Sequence, residues 1–216
     1  MKNILFILLA CIALNLKAQQ FTQGKITMTQ TMSSDNAQMN AQLSNMKMSV
    51  VTFFKGNKSR TETSSAMTGE NISIFDGDIK KGIVLMNNPM MGKTYLDINM
   101  DVSQEELENI KVEKLLETKT ILGYKCQGYN VKTKKDGVEV SMKVFTTDAI
   151  KVARDKKQLG AEIDGYPLQM EISMMQMGST IIITSLADSV KEEDVSDNLF
   201  DMTVPEGYVK TNLPKY

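Results

Sequence analysis

Leu168-Gln169-Met170-Glu171-Ile172-Ser173-Met174 alternates apolar and polar residues without a break. Successive side chains of an extended chain point to opposite faces, so this run reads as a strand with Leu168, Met170, Ile172 and Met174 inward and Gln169, Glu171 and Ser173 outward. A one-residue slip would bury Glu171 at a cost of several kcal/mol, which pins the register. Gly178 then turns the chain into a second apolar run, 179–186, and the two read as a hairpin over 167–186.

The same period of two extends upstream. Val138, Val140, Met142 and Val144 share one face of a strand that pairs through Lys135-Asp136-Gly137 with 125–133. At the other end, Ile26, Met28 and Met32 lie on one face of 25–32 and threonines on the other, and 46–54 repeats the pattern. Gly56-Asn57 turns into 58–63, a polar run that reads as an edge strand. Shorter strands follow at 72–75, 82–86 and 94–100, and a longer one at 112–122. Ser103-Gln104-Glu105-Glu106 has capping-box spacing and predicts a helix over 104–110. A second helix is predicted from Asp148, as N-cap, to Leu159, with Gly160 as stop. The polar stretch 33–45 receives no element, and 198–208 reads as a turn-rich closing segment. The expected fold class is mainly β with one or two helices: one large curved antiparallel sheet whose apolar face must be covered.

The first eighteen residues read as an export signal: Met1-Lys2, an apolar run from Ile4 to Leu14, then Leu16-Lys17-Ala18. Cleavage after Ala18 gives a periplasmic or secreted chain with one β-rich domain at 19–216. The alternative is that Leu8-Leu9-Ala10-Cys11 is a lipobox that anchors the protein through Cys11. Cleavage after Ala18 leaves Cys126 as the sole cysteine, with no partner for an internal disulfide; it reads as a buried apolar thiol. Losing Lys2 and Lys17 lowers the basic count from 25 to 23 against 26 acidic residues, which disfavours nucleic acid as a partner.

Histidine is absent, which excludes Ser-His-Asp and Cys-His catalysis and histidine metal sites. Glu139, Glu171, Asp148 and Asp164 have no spacing that singles out an acid and base pair, and no phosphate loop is present. The chain therefore reads as non-catalytic and free of cofactors. Methionine occurs 17 times against no tryptophan, so the apolar surface is adaptable. The candidate ligand-binding residues are Met48, Val50, Val140, Met142, Met170, Ile172 and Met174, which would line a concave face that holds an acyl chain or a lipidated segment. The same residues could instead form a closed core, giving a structural or protein-interaction domain. A third reading, Cu(I) held by methionine thioethers, is weakened because alternation sends Met174 and Met175 to opposite faces.

The residues Ile121-Leu122-Gly123-Tyr124-Lys125-Cys126-Gln127-Gly128-Tyr129, Gly165-Tyr166-Pro167-Leu168-Gln169-Met170-Glu171, Leu199-Phe200 and Pro205-Glu206-Gly207-Tyr208 resemble a bacterial domain-of-unknown-function family, number 4412. The resemblance implies a fold similar to the periplasmic lipoprotein carriers LolA and LolB, an open half-barrel with helices lidding an apolar cavity. It supplies no catalytic residues. It implies a hydrophobic ligand or lipidated protein as partner, in association with the cell envelope.

Overall fold

A computed structural model describes residues 20–65, 69–90, 92–101, 107–135, 138–152, 159–160, 163, 165–176 and 178–211. The export signal, Cys11 and Asp164 lie outside the described residues. The described residues form one 12-stranded open sheet, largely antiparallel and not closed into a barrel, with one α-helix, α1, among their named elements. In chain order the elements are β1 (Gln23–Ser34), α1 (Ala37–Leu43), β2 (Lys47–Lys55), β3 (Lys58–Ser65), β4 (Gly69–Asp76), β5 (Lys81–Asn88), β6 (Gly92–Asn99), β7 (Ile110–Ile121), β8 (Tyr124–Lys135), β9 (Val138–Thr147), β10 (Tyr166–Gln176), β11 (Ser179–Lys191) and β12 (Val209–Lys210). Across the sheet they run β12-β6-β5-β4-β3-β2-β1-β11-β10-β9-β8-β7. Two meanders, β1 to β6 and β7 to β11, thus meet where the first strand pairs with the last long one.

Alternation places the strands correctly, and the structure departs from the sequence reading at β3, in the polar stretch 33–45 and at the start of the second predicted helix. Strand β3 is interior, between β2 and β4, although its sequence is polar. Its small polar side chains fit between larger neighbours: Ser59 is buried opposite Phe54 and Phe75, Thr61 is opposite Thr52 and Ser73, and Thr63 is opposite Val50 and Asn71. The polar stretch 33–45 contains α1, whose N-terminus is capped by Asn36: its side-chain oxygen accepts from the backbone N–H groups of Gln38 and Met39 at 3.0 and 3.1 Å. Of the helix predicted over 104–110, residues 104–106 lie outside the described residues, Leu107 and Glu108 are helical, and Ile110 already belongs to β7. Of the helix predicted over 148–159, the start is not helical. Ala149 accepts a hydrogen bond from the Phe21 N–H at 2.9 Å, and Ile150 forms a parallel bridge with Phe21; residues 153–158 lie outside the described residues.

The β7–β8 turn has positive φ at both central residues, 52° at Leu122 and 86° at Gly123, the conformation whose twist suits a two-residue hairpin. Register shifts interrupt β1 against β11 at Thr27/Met28, β10 against β9 at Pro167/Gln169, and β7 against β8 between Lys114 and Thr118. Pro167 has no N–H to give to the ladder, so it sits where the ladder is already broken. Such irregularities increase local twist and bend, and an open sheet of this many strands must curl.

Three apolar clusters hold the sheet. One gathers Ile26, Met28, Phe54, Cys126, Phe145, Leu168 and Ala187, from β1, β2 and β8 to β11, together with Ile150, which follows β9. A second packs Tyr129, Val131, Met142 and Val144 against Leu159 and Ile163 of the β9–β10 connection. The third puts Ile74, Ile83 and Leu85 beneath Val195 and Phe200 of the closing segment.

Candidate functional site: the inward face of the sheet

Residues directly opposite one another in a ladder lie on the same face, so the registers can be followed sideways across the sheet. Met48 is opposite Gln30, Gln30 opposite Ser185, Ser185 opposite Met170, and Met170 opposite Val144. Val50 is opposite Met28, Ile172 opposite Met142, and Met174 opposite Val140. All seven candidate residues therefore share one face. Met142 is buried; Val140, Met170 and Ile172 are half-buried and pack with it, Val50 is half-buried on the first cluster, and Met48 and Met174 are half-buried.

This face is the inside of the curl. The Tyr166 hydroxyl at the start of β10 donates to Thr52 Oγ1 on β2 at 3.2 Å, and the Thr52 and Thr61 hydroxyls pair at 3.0 Å. Strands β2 and β10 are separated by β1 and β11, three strand spacings, which on a flat sheet is about 14 Å. An upright tyrosine cannot bridge that gap, so the sheet bends with Thr52 and Tyr166 inward. Burial pushes the Tyr166 phenol above its ordinary range, against a smaller opposing effect of Thr52.

Covering elements lie on opposite sides in the two halves. The β9–β10 connection covers the inward face near β8 and β9 through Leu159 and Ile163. The closing segment straps the outward face of the sheet from β2 to β6, where Phe53, Ile72 and Tyr95 meet Leu199, Met202, Val204 and Tyr208. Its end forms β12, parallel to β6, and the Lys210 ammonium contacts Asp97 Oδ2 at 2.7 Å, a pairing that raises the pKa of Lys210. Residues 21–208 match the domain of unknown function DUF4412.

The chain belongs to the DUF4412 family. No curated protein matches it. Solved structures similar to this DUF4412 chain include two of PNGF-II, at 12% and 14% identity with TM-scores of 0.47 and 0.49. They cover 88% and 87% of this chain, which spans 31% of the PNGF-II chain in each.

Two clefts open on the outward face of the DUF4412 domain. One, of about 210 Å³, lies among Asn130, Lys132, Ser141, Lys143, Glu171 and Ser173; the other, of about 250 Å³, lies among Ser49, Val51, Glu62, Ser64, Glu70 and Ile72. Both are open clefts in which polar side chains stand beside apolar ones, Val131 and Met142 in the first and Val51 and Ile72 in the second. Glu171 stands opposite Lys143, whose ammonium contacts Glu117 Oε2 at 2.7 Å; Glu62 is held by Arg60. Glu139 is exposed on the same outward side as Glu171, and Asp148 is exposed in the β9–β10 connection, so these carboxylates do not converge. Met174 is inward and Met175 is outward and 61% exposed, so these two sulfurs point apart. Among the described residues no group of three His, Cys, Asp or Glu side chains could hold a metal ion.

Cys126 is fully buried, and its desolvation raises the thiol pKa above the ordinary 9.0. The sequence reading missed the polar part of the inward face. Its signal was present in the alternate positions Ser59, Thr61, Thr63 and Ser65, and Asn71 and Ser73, which carry hydroxyls and an amide without charge.

Proposed function

We propose that this protein is an exported, non-catalytic binding protein that holds or passes a hydrophobic ligand in the cell envelope, in the manner of the LolA and LolB carriers. The observation that carries this reading is the joint placement of Met48, Val50, Val140, Met142, Met170, Ile172 and Met174 on the inward face of a curled open sheet, most of them half-buried. Half-buried methionines give a deformable apolar wall that fits acyl chains of different shape. The β9–β10 connection lies over part of this face, and it would have to shift for a chain to enter beneath Leu159 and Ile163.

The competing reading is a closed scaffold, in which the same residues are only core. It is favoured by the packing of Met142 against Leu159 and Ile163. Native mass spectrometry of protein purified without detergent separates the two. A co-purifying lipid mass supports the carrier, and a bare chain that also fails to bind an apolar fluorophore supports the scaffold.

A further inference from the structure

Across the nine strands from β6 to β9, none of the described inward residues is Asp, Glu, Lys or Arg. Charged residues make up 24% of the sequence, and the outward positions of the same strands carry Arg60, Glu62, Glu70, Lys93, Asp97 and Glu171. Burial alone does not account for this segregation. Thr61, Thr63, Asn71, Ser73 and Thr94 are half-buried, and positions with that much access to water ordinarily accept charge. The inward face is thus divided: an apolar wall from β1 through β11 and β10 to β9, a strip of hydroxyls and an amide at Thr61, Thr63, Asn71 and Ser73 of β3 and β4, and apolar residues again beyond it at Val84 and Met86 of β5 and Leu96 of β6; the strip joins the first wall through Thr52 and its contacts to Thr61 and Tyr166.

Resting on the carrier reading above, we infer that the ligand is a lipid with an uncharged, hydroxyl-bearing head group, its chain against the methionine wall and its head against Thr63, Asn71 and Ser73. A carboxylate, phosphate or ammonium head would enter this site without a counter-charge and would lose part of its hydration, which disfavours it. Hydroxyls can both donate to and accept from threonine, serine and asparagine, so a neutral polyol head replaces its water contacts at little cost.

The test compares 1-oleoylglycerol, oleate and oleylamine, which share a chain length and differ in head charge, as competitors for a neutral environment-sensitive fluorophore on the mature protein. The expected result is displacement by 1-oleoylglycerol at a concentration lower by about tenfold or more than for either charged competitor. Ser73→Lys supplies the missing counter-charge and is expected to invert the preference toward oleate, with the thermal transition recorded to confirm folding; Thr63→Lys is the second variant should the first fail to fold. Equal displacement by all three, or an unchanged preference in a folded lysine variant, overturns the head-group inference and leaves the carrier reading standing. No displacement by any of the three, together with no co-purifying lipid, overturns both.

Discussion

The Tyr166 hydroxyl donates to Thr52 Oγ1 at 3.2 Å across 114 positions of sequence and two intervening strands. Thr52 is buried and also pairs with Thr61 at 3.0 Å, so three hydroxyls from β10, β2 and β3 form one network at the fold of the sheet. Tyr166→Phe removes one hydrogen bond while Thr52 keeps its other partner, and is expected to cost about 1 kcal/mol. Thr52→Val strands the Tyr166 hydroxyl in an apolar site and is expected to cost more, about 1–3 kcal/mol. Urea denaturation of both variants checks the order, and a smaller loss for Thr52→Val would remove the network from the account of the curl.

Phe200 is buried on the outward face, in the cluster of Ile74, Ile83 and Leu85. Phe200→Ala is expected to lose about 3–5 kcal/mol and to loosen the closing segment. Hydrogen exchange would then show faster exchange at the Thr211 N–H, which donates to Tyr95 at 2.8 Å, while the amides of β9 and β10 keep their relative protection.

Burial raises the pKa values of Cys126 and Tyr166 above their ordinary 9.0 and 10.0. Both groups are neutral in the folded protein at a pH where the unfolded chain ionises, so their contribution to stability is complete below pH 9.0 and is lost as the pH rises through 9.0 and 10.0. The denaturation midpoint is expected to fall over that window. Cys126→Ala is expected to flatten the first part of the decline. At neutral pH the thiol should resist labelling until the protein unfolds; rapid labelling of the native state would contradict its burial.

Leu122 holds a left-handed φ of 52° with its side chain 48% exposed. That conformation costs a leucine about 1 kcal/mol that asparagine largely avoids, and the Asn-Gly pair then matches a two-residue hairpin turn. Leu122→Asn is expected to raise the denaturation midpoint. An unchanged or lowered midpoint would mean that the Leu122 side chain makes contacts worth more than the strain.

The strand content was legible because alternation is written residue by residue. The register of β10 could be read from Glu171 alone, since a slip would bury it, and the structure places Met170, Ile172 and Met174 opposite Val144, Met142 and Val140. Strand β3 was misplaced at an edge for a related reason: a polar run looks solvent-exposed to any local rule, and Ser59, Thr61 and Thr63 gain their interior position only from the strands on either side. Helix α1 escaped because it buries none of its residues and so has no apolar stripe. Its only signal was Asn36 as a cap.

The sequence by itself determined which residues lie on each face of each strand, and hence that the seven candidate residues could share a surface, because side-chain direction follows from the local backbone. It also held the segregation of charge to one side. The tertiary structure alone decided that β1 pairs with β11, that the sheet bends until Tyr166 meets Thr52, and that the two halves are covered on opposite faces. Those outcomes depend on pairing between segments far apart in the chain and on bend accumulated over bulges and twelve strands, quantities that no local pattern encodes.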